Sequence, residues 1–378
     1  MDALMLPSNW QKVRLGDIAE IKRGVRITKN ELDVFGKYPV VSGGVGFLGY
    51  TNNFNRYENT ITIAQYGTAG YVNFQKNKFW ANDVCFCVYP NKDVIKNIFL
   101  YYFLKVNQNY LYEISNRNAT PYSISKDKIL DFEIPLPPLN EQIAIANILS
   151  TLDNYLHALR ALILKKESVK KALSFELLSQ RKRLKGFNQA WQRVRLGDIG
   201  KPCMCKRVMK HQTTRYGEIP FYKIGTFGNT ADAFISKKLF LEYKTKYSFP
   251  KKGDILISAS GTIGRAVIYD GKPAYFQDSN IVWIDNDETL VKNDFLFYAY
   301  SNIKWNTEHT TILRLYNDNF KNTLIPLPSL NEQIAIANIL SALDHEIASL
   351  KNKKRQFDNI KKALNHDLMS AKIRVLKK

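Results

Sequence analysis

The sequence has few acidic residues for its length. Its 34 Asp and Glu residues face 55 Lys and Arg residues, which gives the 378-residue chain a formal net charge of +21. Such an excess of positive charge favours a polyanionic partner. Residues 160–185 and 351–378 together carry +15 of this charge. Solvated lysine faces on long helices would give the same bias, so charge alone leaves both interpretations open.

Long apolar segments are also missing. No run of about 18 apolar residues is present, which excludes a transmembrane helix. The opening segment, MDALMLPSNWQKVRLGD, lacks the apolar core of a signal peptide, so we expect a cytoplasmic protein with no membrane partner. The composition is otherwise that of a globular protein, with 45% hydrophobic residues and a length suited to two or three domains.

Cysteine and histidine are scarce and poorly spaced for metal binding. The four cysteines form two C-x-C pairs, Cys85/Cys87 and Cys203/Cys205, whereas zinc sites usually show C-x₂₋₄-C spacing. The five histidines are scattered along the chain. DVCFCVY has the composition of a strand, so Cys85 and Cys87 should point to one face. We expect buried, reduced thiols and no metal site.

Motifs of catalysis and cofactor binding are absent or incomplete. No G-x-x-x-x-G-K-[ST] phosphate loop occurs, and the G-x-G-x-x-G at residues 44–49 precedes turn and strand residues rather than a helix. The segment NATPYS (118–123) lacks the first proline of the N-P-P-Y motif of adenine methyltransferases. No P-D…E-x-K arrangement suggests a nuclease centre. The sequence therefore predicts a protein without an active site or a cofactor of its own.

The sequence does contain two internal repeats. IPLPPLNEQIAIANILSTLD (134–153) returns at 325–344 with 18 of 20 positions identical, and WQKVRLGDI (10–18) returns at 191–199 with eight of nine identical. The intervening segments, about 19–133 and 200–324, differ almost completely. Both contain short strands and an aromatic helical stretch, at 97–111 and 293–306, so we expect them to share a mixed α/β fold.

Each copy of the longer repeat should begin a helix of about 40–45 residues. Prolines precede the first helix, and Ser329 with Glu332 forms an S-x-x-E capping pattern before the second. Apolar residues follow at alternating spacings of four and three. They are Ile145, Leu149, Leu152, Leu156, Leu159 and Ile163 in the first helix, and Ile336, Leu340, Leu343, Ile347, Leu350, Phe357 and Leu364 in the second. This heptad seam is typical of a coiled coil, with Lys354 and Lys361 filling its gaps.

Two arrangements explain an apolar stripe on these helices. Pairing within the chain is the economical one, and a twofold relation between the repeats would make the helices antiparallel. Packing of each helix on the core of its own domain also explains a stripe, although not its length. We favour pairing, because a seam maintained over so many heptads suits a helix partner.

Polar, aromatic and cationic residues in corresponding turns of the two divergent segments are candidates for reading DNA. Arg and Asn form bidentate hydrogen bonds with guanine and adenine. The candidates are Arg26, Tyr66, Thr68, Arg117, Asn118, Thr120 and Tyr122 in the first segment, and Ser260, Thr262, Arg265, Thr310, Thr311, Arg314, Tyr316 and Asn317 in the second. Each of them singly could equally be an ordinary loop residue.

Taken together, the repeated P-L-P-x-L-x-E-Q helix start, the two W-Q-x-V-R-L-G-D-I segments and the turns GTAG (67–70) and GTIG (261–264) resemble a specificity (S) subunit of a type I restriction–modification system. The resemblance covers essentially the whole chain. It implies a non-catalytic protein with two target recognition domains, each reading one half of a bipartite double-stranded DNA site. It also implies two long helices that fix the spacing and dock two modification (M) subunits.

The resemblance further implies that restriction (R) subunits join through the modification subunits. S-adenosylmethionine, ATP and Mg would then bind only to those partners. The expected fold class is α+β, with two similar mixed α/β domains, two long helices paired as an antiparallel coiled coil, and a pseudo-twofold repeat. Expected boundaries are 1–134 and 186–325 for the recognition domains, and 135–185 and 326–378 for the helical regions.

Two other functions compete with this expectation. A self-sufficient nuclease or methyltransferase would require the catalytic motifs that the sequence lacks. A basic coiled-coil scaffold that binds nucleic acid without sequence preference would require only the charged helices. Competition with random DNA at physiological salt separates such a scaffold from a specific reader, because non-specific binding weakens steeply with salt.

Overall fold

The secondary-structure elements of the computed structural model follow the same order twice along the chain. Residues 7–118, 120–305, 308–309 and 313–376 are described. The strands of the first series are β1 (Gln11–Arg14), β2 (Ala19–Arg23), β3 (Tyr38–Val41), β4 (Gly49–Thr51), β5 (Thr60–Ala64), β6 (Val72–Gln75), β7 (Trp80–Ala81), β8 (Cys85–Pro90) and β9 (Glu133–Leu136). Its helices are α1 (Leu15–Ile18), α2 (Asn97–Val106), α3 (Gln108–Glu113), α4 (Lys126–Leu130) and the long α5 (Leu139–Leu178).

Among the described residues, the second series repeats this order with an added helix between its strands, an added pair of two-residue strands, and a 3₁₀ turn in the place of α3. Its strands are β10 (Gln192–Arg195), β11 (Gly200–Met204), β12 (Ile219–Tyr222), β13 (Phe234–Ile235), β14 (Ile255–Ser258), β15 (Ala266–Ile268), β16 (Tyr275–Phe276), β17 (Ile281–Asn286), β18 (Glu308–His309), β19 (Leu313–Arg314) and β20 (Leu324–Leu327). Its helices are α6 (Leu196–Ile199), α7 (Lys237–Lys246), α8 (Asn293–Ala299), α9 (Asn317–Asn322) and the long α10 (Leu330–Met369). Short 3₁₀ turns lie at Lys29–Glu31, Lys210–Gln212 and Tyr300–Asn302.

The sheets of the two series share one topology, apart from the antiparallel pair β18-β19, which is found in the second series. A four-stranded antiparallel sheet has the order β2-β8-β5-β6 in the first and β11-β17-β14-β15 in the second. A three-stranded sheet has the order β4-β3-β7 or β13-β12-β16, and its last two strands are parallel. Strand β1 pairs with β9 and β10 pairs with β20, both antiparallel. The prediction that the divergent segments share a fold is therefore confirmed.

The central strands of these sheets are apolar because both of their faces are covered. Ile61 and Ile63 of β5 belong to the same core as Phe99 of α2. On the opposite face, Cys85 and Cys87 of β8 pack in a separate core with residues of β3 and β7. Both thiols are buried and free, as predicted, and the hydrogen bond to Cys87 together with burial raises the pKa of Cys85 well above its usual range.

The glycine-rich segment at residues 44–49 forms bends that lead into β4, as predicted, and no helix opens there. The aromatic helical stretches are confirmed as α2 with α3 and as α8 with the 3₁₀ turn after it. The second stretch is shorter than predicted, because its helical conformation ends at Asn302. Within the described part of the chain, no helix combines the length and apolarity needed to cross a membrane.

The chain divides into two compact units. Unit 1 comprises Met1–Ala161 with Lys351–Lys378, and unit 2 comprises Leu162–Leu350. Each unit therefore contains one series of strands, part of α5 and part of α10. The expected boundaries at 134, 185 and 325 divide the chain by its repeats instead, and they stay a prediction.

In unit 1, the segments of α5 and α10 run antiparallel. Lys361 Nζ lies 2.5 Å from Asp153 Oδ1, and the rings of Phe357 and Tyr155 have centroids 4.7 Å apart. Residue numbers thus fall along α10 as they rise along α5.

Unit 2 contains a matching pair of segments. Lys166 Nζ lies 2.9 Å from Glu346 Oε2, and Lys170 Nζ lies 2.5 Å from Asp344 Oδ1. These segments are antiparallel too, and Lys170–Asp344 is the repeat equivalent of Lys361–Asp153.

The predicted seam residues are all at least partly buried. Some of them lie in the core of a domain, and the rest are covered elsewhere along the helices. Ile145 and Leu149 lie in the core of the α/β domain of unit 1, where Leu364 of α10 also packs. Ile336 and Leu340 occupy the same place in unit 2. The others that are fully buried are Leu156, Leu159, Ile163 and Ile347, while Leu152, Leu343, Leu350 and Phe357 are half-buried. Packing on the domain core therefore applies at the helix starts, contrary to a seam formed by the helices alone.

Candidate nucleic-acid interface

The turn Gly67–Gly70 follows strand β5 in unit 1 and depends on its glycines. Gly67 and Gly70 have φ angles of +78° and +86°, a region that side chains with a Cβ rarely adopt. A Cβ on Gly70 would lie 2.8 Å from the carbonyl oxygen of Leu111. The sequence G-T-A-G therefore specifies a tight turn that presents Thr68 and Tyr66 beside it.

A second candidate segment, residues 116–123, lies against this turn. Gly67 N donates to Tyr122 O at 3.0 Å, and Ile124 N donates to Gln65 O at 3.0 Å. Arg117 stacks between two rings, 5.3 Å from the centroid of Tyr112 and 5.2 Å from that of Tyr122. The structure thus brings together two segments that are about 50 residues apart in sequence.

Hydrogen bonds connect the loop of Arg26 to the same region. Ile27 N donates to Asn82 Oδ1 at 3.1 Å, and Asn82 Nδ2 donates to Ser42 Oγ at 3.3 Å. The next residue, Gly43, accepts from Thr68 Oγ1 at 2.6 Å through its carbonyl oxygen. Every candidate of the first segment therefore lies on one connected set of loops.

Unit 2 builds the equivalent turn, Gly261–Gly264, after strand β14. The two glycines have φ angles of +65° and +82°, and Gly264 N donates to Ser258 O at 2.9 Å. In unit 1, Gly70 N donates to Ala64 O at 2.8 Å in the same way. The turn carries Thr262 at its tip and Arg265 at its end.

The segment around Arg314 lies against this second turn. Leu315 N donates to Ala259 O at 2.9 Å, and Arg314 Nη2 donates to Ser279 Oγ at 2.7 Å. Ser260 is buried, and its hydroxyl donates to Asn280 Oδ1 at 2.8 Å. Ser260 and Arg314 therefore hold the loop in place in addition to any contact with a ligand. No pattern in the sequence predicted the loop at residues 279–280.

The candidates differ in exposure. Those exposed to solvent are Arg26, Arg117, Asn118, Thr120 and Tyr122 in unit 1, and Thr262, Arg265, Tyr316 and Asn317 in unit 2. Tyr66, Thr68 and Arg314 are half-buried, and Ser260 is buried. Thr310 and Thr311 lie outside the described residues. The exposed set combines guanidinium, amide, hydroxyl and phenol groups, which can contact both phosphates and base edges.

A buried cluster that the sequence did not predict anchors the start of each long helix. In unit 2, Glu332 accepts hydrogen bonds from Trp191 Nε1 at 2.9 Å and from Arg183 Nε and Nη2, both at 3.0 Å. The sequence predicts Glu332 as part of a capping box, but its carboxylate binds the side chains of Trp191 and Arg183 instead.

Unit 1 repeats this cluster with Trp10, Glu141 and Arg374. Arg374 Nε donates to Glu141 Oε1 at 2.6 Å, and Trp10 Nε1 donates to Oε2 at 3.1 Å. All three residue types occur at matching places in both halves of the sequence, and this recurrence was the signal that could have predicted the cluster.

A second repeated network joins the α/β domain of each unit to the long helices. Tyr102 OH donates to Asp153 Oδ2 at 2.7 Å, and Lys361 Nζ donates to the other carboxylate oxygen at 2.5 Å. Tyr298 OH donates to Asp344 Oδ2 at 2.8 Å in unit 2, where the lysine is Lys170. Burial, with the neighbouring carboxylate, raises the pKa of both phenols, so each stays a hydrogen-bond donor at neutral pH. Across the described ranges, no group of three or more His, Cys, Asp and Glu side chains could hold a metal ion.

Comparison with known proteins identifies relatives over nearly the whole chain. The family model for the type I restriction modification DNA specificity domain matches twice, at residues 7–167 and 188–357. A putative type I restriction enzyme specificity subunit of Haemophilus influenzae is 42% identical, over 91% of this chain and 90% of its own length. A type I restriction enzyme specificity subunit of Methanocaldococcus jannaschii is 27% identical, over 99% and 95% of the two chains. The crystal structure of a type I S subunit from M. genitalium shares the fold, with a TM-score of 0.70, 22% identity and coverage of 97% and 98%.

Proposed function

We propose, given that this chain belongs to the family of type I restriction–modification DNA specificity domains, that it reads a bipartite double-stranded DNA site with one recognition domain for each half. As a specificity subunit it selects the sequence and is not the catalytic component. Methylation and cleavage then belong to partner subunits, which carry S-adenosylmethionine, ATP and Mg. The protein works in the cytoplasm, where its DNA and its partners are.

One observation carries the proposal: the same turn and adjoining segment occur in both units with different side chains. Main-chain hydrogen bonds hold Gly67–Gly70 against residues 116–123, and Gly261–Gly264 against the segment around Leu315. The turn keeps its threonine, Thr68 or Thr262, but the residue after its second glycine differs, because Tyr71 of unit 1 stands where Arg265 stands in unit 2. Ser125 and Lys126, at the end of the adjoining segment of unit 1, likewise correspond to the exposed Tyr316 and Asn317 of unit 2. A shared frame with divergent side chains suits two readers of different half-sites.

The long helices support a second part of the proposal. We infer that α5 and α10 pair as an antiparallel coiled coil that fixes the spacing of the half-sites, since adjacent turns of DNA are about 34 Å apart and a flexible linker would blur that distance. The helix starts are nearly identical in the two units, and so are their anchoring clusters. Equivalent surfaces of this kind suit two identical modification subunits, through which restriction subunits join.

Mapping of methylated adenines tests this function. Genomic DNA from cells that express the chain with its modification subunit is sequenced for modified bases. We expect one bipartite motif. Arg117→Ala should relax specificity in one half of it and Arg265→Ala in the other, because each guanidinium belongs to a different reader. Arg160→Ala serves as the control, since this arginine is exposed on α5 and should leave the motif unchanged.

Two results would count against the proposal. A map without a bipartite motif would contradict recognition by two domains. Methylation by the purified chain alone would instead indicate an enzyme.

Charge favours one alternative, a basic scaffold without sequence preference, because +15 of the net charge lies in residues 160–185 and 351–378. Such a scaffold would lose DNA to random competitor at physiological salt, whereas a specific reader keeps its site.

A further inference from the structure

Two aromatic side chains are almost fully exposed, and they lie at equivalent places in the two units. Phe35 is 93% exposed and Tyr216 is 85% exposed. Each follows a short 3₁₀ turn, precedes a glycine, and leads into the central strand of the three-stranded sheet, β3 or β12. Phe35 and Tyr216 are 181 positions apart in the sequence, which is also the interval between the two W-Q-x-V-R-L-G-D-I segments. These two turns, residues 33–37 and 214–218, are called the aromatic tips below.

The same kinds of contact hold each tip in a fixed conformation. In unit 1, Asp33 N donates to Tyr50 O at 2.8 Å, and Phe35 N donates to Asp33 Oδ1 at 2.8 Å. A Cβ on Gly36 would lie 2.5 Å from Thr51 N, so the chain passes against β4 where only glycine fits. The ring is therefore displayed by an anchored turn.

The tip in unit 2 is anchored by the corresponding residues. Thr214 N donates to Phe234 O at 2.9 Å, and Thr214 Oγ1 donates to Tyr216 O at 2.7 Å. A Cβ on Gly217 would lie 2.8 Å from Phe234 Cβ. In both units, different residues thus hold the turn in a conformation that exposes an aromatic ring. Burial of that ring would be energetically favourable.

Charge around the tips indicates the partner. Residues 22–37 contain five Lys or Arg and two acidic residues, and residues 201–218 contain five and one. Glu31 caps the 3₁₀ turn by accepting from Thr28, and Asp33 holds the tip itself. Aromatic rings interleaved with cations fit nucleic acid, in which phosphates take the cations and bases take the rings.

Divergence of the tips argues against docking of a protein subunit. Two identical modification subunits require equivalent surfaces, as the nearly identical helix starts provide. The tips read DVFGK (33–37) and TRYGE (214–218), and only the glycine is shared. What persists is the aromatic character, which suits contact with bases because every base has an apolar face.

We propose that Phe35 and Tyr216 contact the bases of the two half-sites, each ring pressing into the groove against a thymine methyl group or a base step. The inference rests on the proposed function and adds a pair of specificity residues to it. It assigns Phe35 to the half-site read by unit 1 and Tyr216 to the half-site read by unit 2.

The test uses the chain in complex with its modification subunit. The probe is a fluorescent duplex that carries the bipartite sequence methylated by the wild-type complex. Phe35→Ala and Tyr216→Ala should each weaken equilibrium binding by about 5- to 150-fold, the size of a lost base–aromatic contact. Val34→Ala is the matched control, because Val34 is 90% exposed on the same tip, and it should change binding by less than about twofold.

Two further readouts separate a role in recognition from a structural one. Phe35→Tyr and Tyr216→Phe should restore binding, because both rings can make the contact. In methylation maps, Phe35→Ala should relax one half of the motif and Tyr216→Ala the other.

Three outcomes overturn the inference. The first is binding by the alanine variants within about twofold of wild type. The second is loss of the modification subunit from these variants, measured by light scattering, because the tips would then be docking surfaces. The third is a wild-type complex without any site-specific methylation, which removes the proposed function itself and is seen before any variant is made.

Discussion

At the scale of single residues, the buried glutamate at the start of each long helix has the most concentrated set of contacts. Glu332 is 1% exposed and Glu141 is 2% exposed, and an arginine and a tryptophan satisfy each carboxylate. A buried carboxylate is tolerated only with such partners, since an unpaired buried charge is strongly unfavourable. The arginine that pairs with each glutamate follows the end of the other long helix.

Replacement of this glutamate should destabilise the protein. Glu332→Ala leaves Trp191 Nε1 without its acceptor and leaves the largely covered guanidinium of Arg183 with the carbonyl oxygen of Gln189 but without its counter-ion, so we expect the free energy of unfolding to fall by about 2–4 kcal/mol. Urea denaturation of the purified wild-type and variant chains measures this change in the free energy of unfolding. Glu242→Ala is the control, because this carboxylate makes an exposed pair with Lys246 and its loss should leave the midpoint nearly unchanged.

Glu141→Ala should act in the same direction in unit 1. If Glu332→Ala and Glu242→Ala had equal effects, the cluster would contribute no more than a surface ion pair.

At the scale of elements, each long helix is joined to a recognition domain and to the other helix through one carboxylate. Asp153 of α5 accepts from Tyr102 of α2 and from Lys361 of α10. The lysines at 354 and 361, which the sequence placed as fillers of gaps in the seam, thus have different functions. Lys361 binds across to α5, whereas Lys354 pairs with Asp358 on its own helix.

A double-mutant cycle should separate these two lysines. Asp153→Ala and Lys361→Ala should couple by about 1 kcal/mol, because the pair joins two helices and Tyr102 holds the same carboxylate in place. Asp358→Ala and Lys354→Ala should couple by about 0.3–0.5 kcal/mol, the usual value for an i,i+4 pair within one helix, although the two pairs are equally covered. Urea midpoints of the single and double variants give both numbers. Equal coupling energies would show that the cross-helix network adds nothing to a local pair.

Periodicity predicted the long helices well because it depends on local sequence. Both are 40 residues long, within the expected range, and each predicted seam position is at least partly covered. Periodicity could not tell what covers a residue. Ile145 and Ile336 satisfy the heptad pattern, yet they belong to the cores of recognition domains, because a helix start that docks on a sheet needs the same apolar stripe as a helix that pairs.

The candidate interface was predictable where backbone conformation dictates sequence. Two glycines with positive φ angles mark each turn, so GTAG and GTIG located the loops correctly. Side-chain roles followed less well. Ser260 is one of the candidates from the sequence, but it is buried and its hydroxyl donates to Asn280 Oδ1. Phe35 and Tyr216, which we propose as base contacts, were not among the sequence candidates, because a single aromatic residue in a loop has no distinctive pattern until its exposure is known.

At the scale of the whole molecule, the protein consists of one structural design used twice with different reading surfaces. The repeated clusters at Glu141 and Glu332, and the repeated networks at Asp153 and Asp344, occupy the same places in the two units. Sequence identity is retained in these frames and lost in the exposed turns. Under the proposed function, the retained frames serve the partner subunits and the divergent turns serve the DNA sequence.

A matched lengthening of both helices tests their proposed role as a spacer. One heptad inserted after Ala161 and one after Leu350 would keep the seam in register and extend each helix by about 10 Å. We expect the gap between the half-sites to grow by about three base pairs at ~3.4 Å each, while both half-sites stay the same. Methylation mapping measures the gap. An unchanged gap would contradict the role of the helices as a spacer. The control is a heptad inserted in α5 alone, which should abolish methylation because it breaks the pairing of α5 with α10.

The discontinuity of unit 1 has a consequence for how the chain is made. A ribosome delivers unit 2 as one unbroken stretch, Leu162–Leu350, but unit 1 must wait for Lys351–Lys378. At 5–20 residues per second, Ile145 and Leu149 stay without their cover from α10 for about 10–40 s of synthesis. During that interval the nascent first recognition domain exposes an apolar face that chaperones can bind. A premature stop just before Lys351 would therefore leave unit 2 complete and release a first domain without its cover from α10.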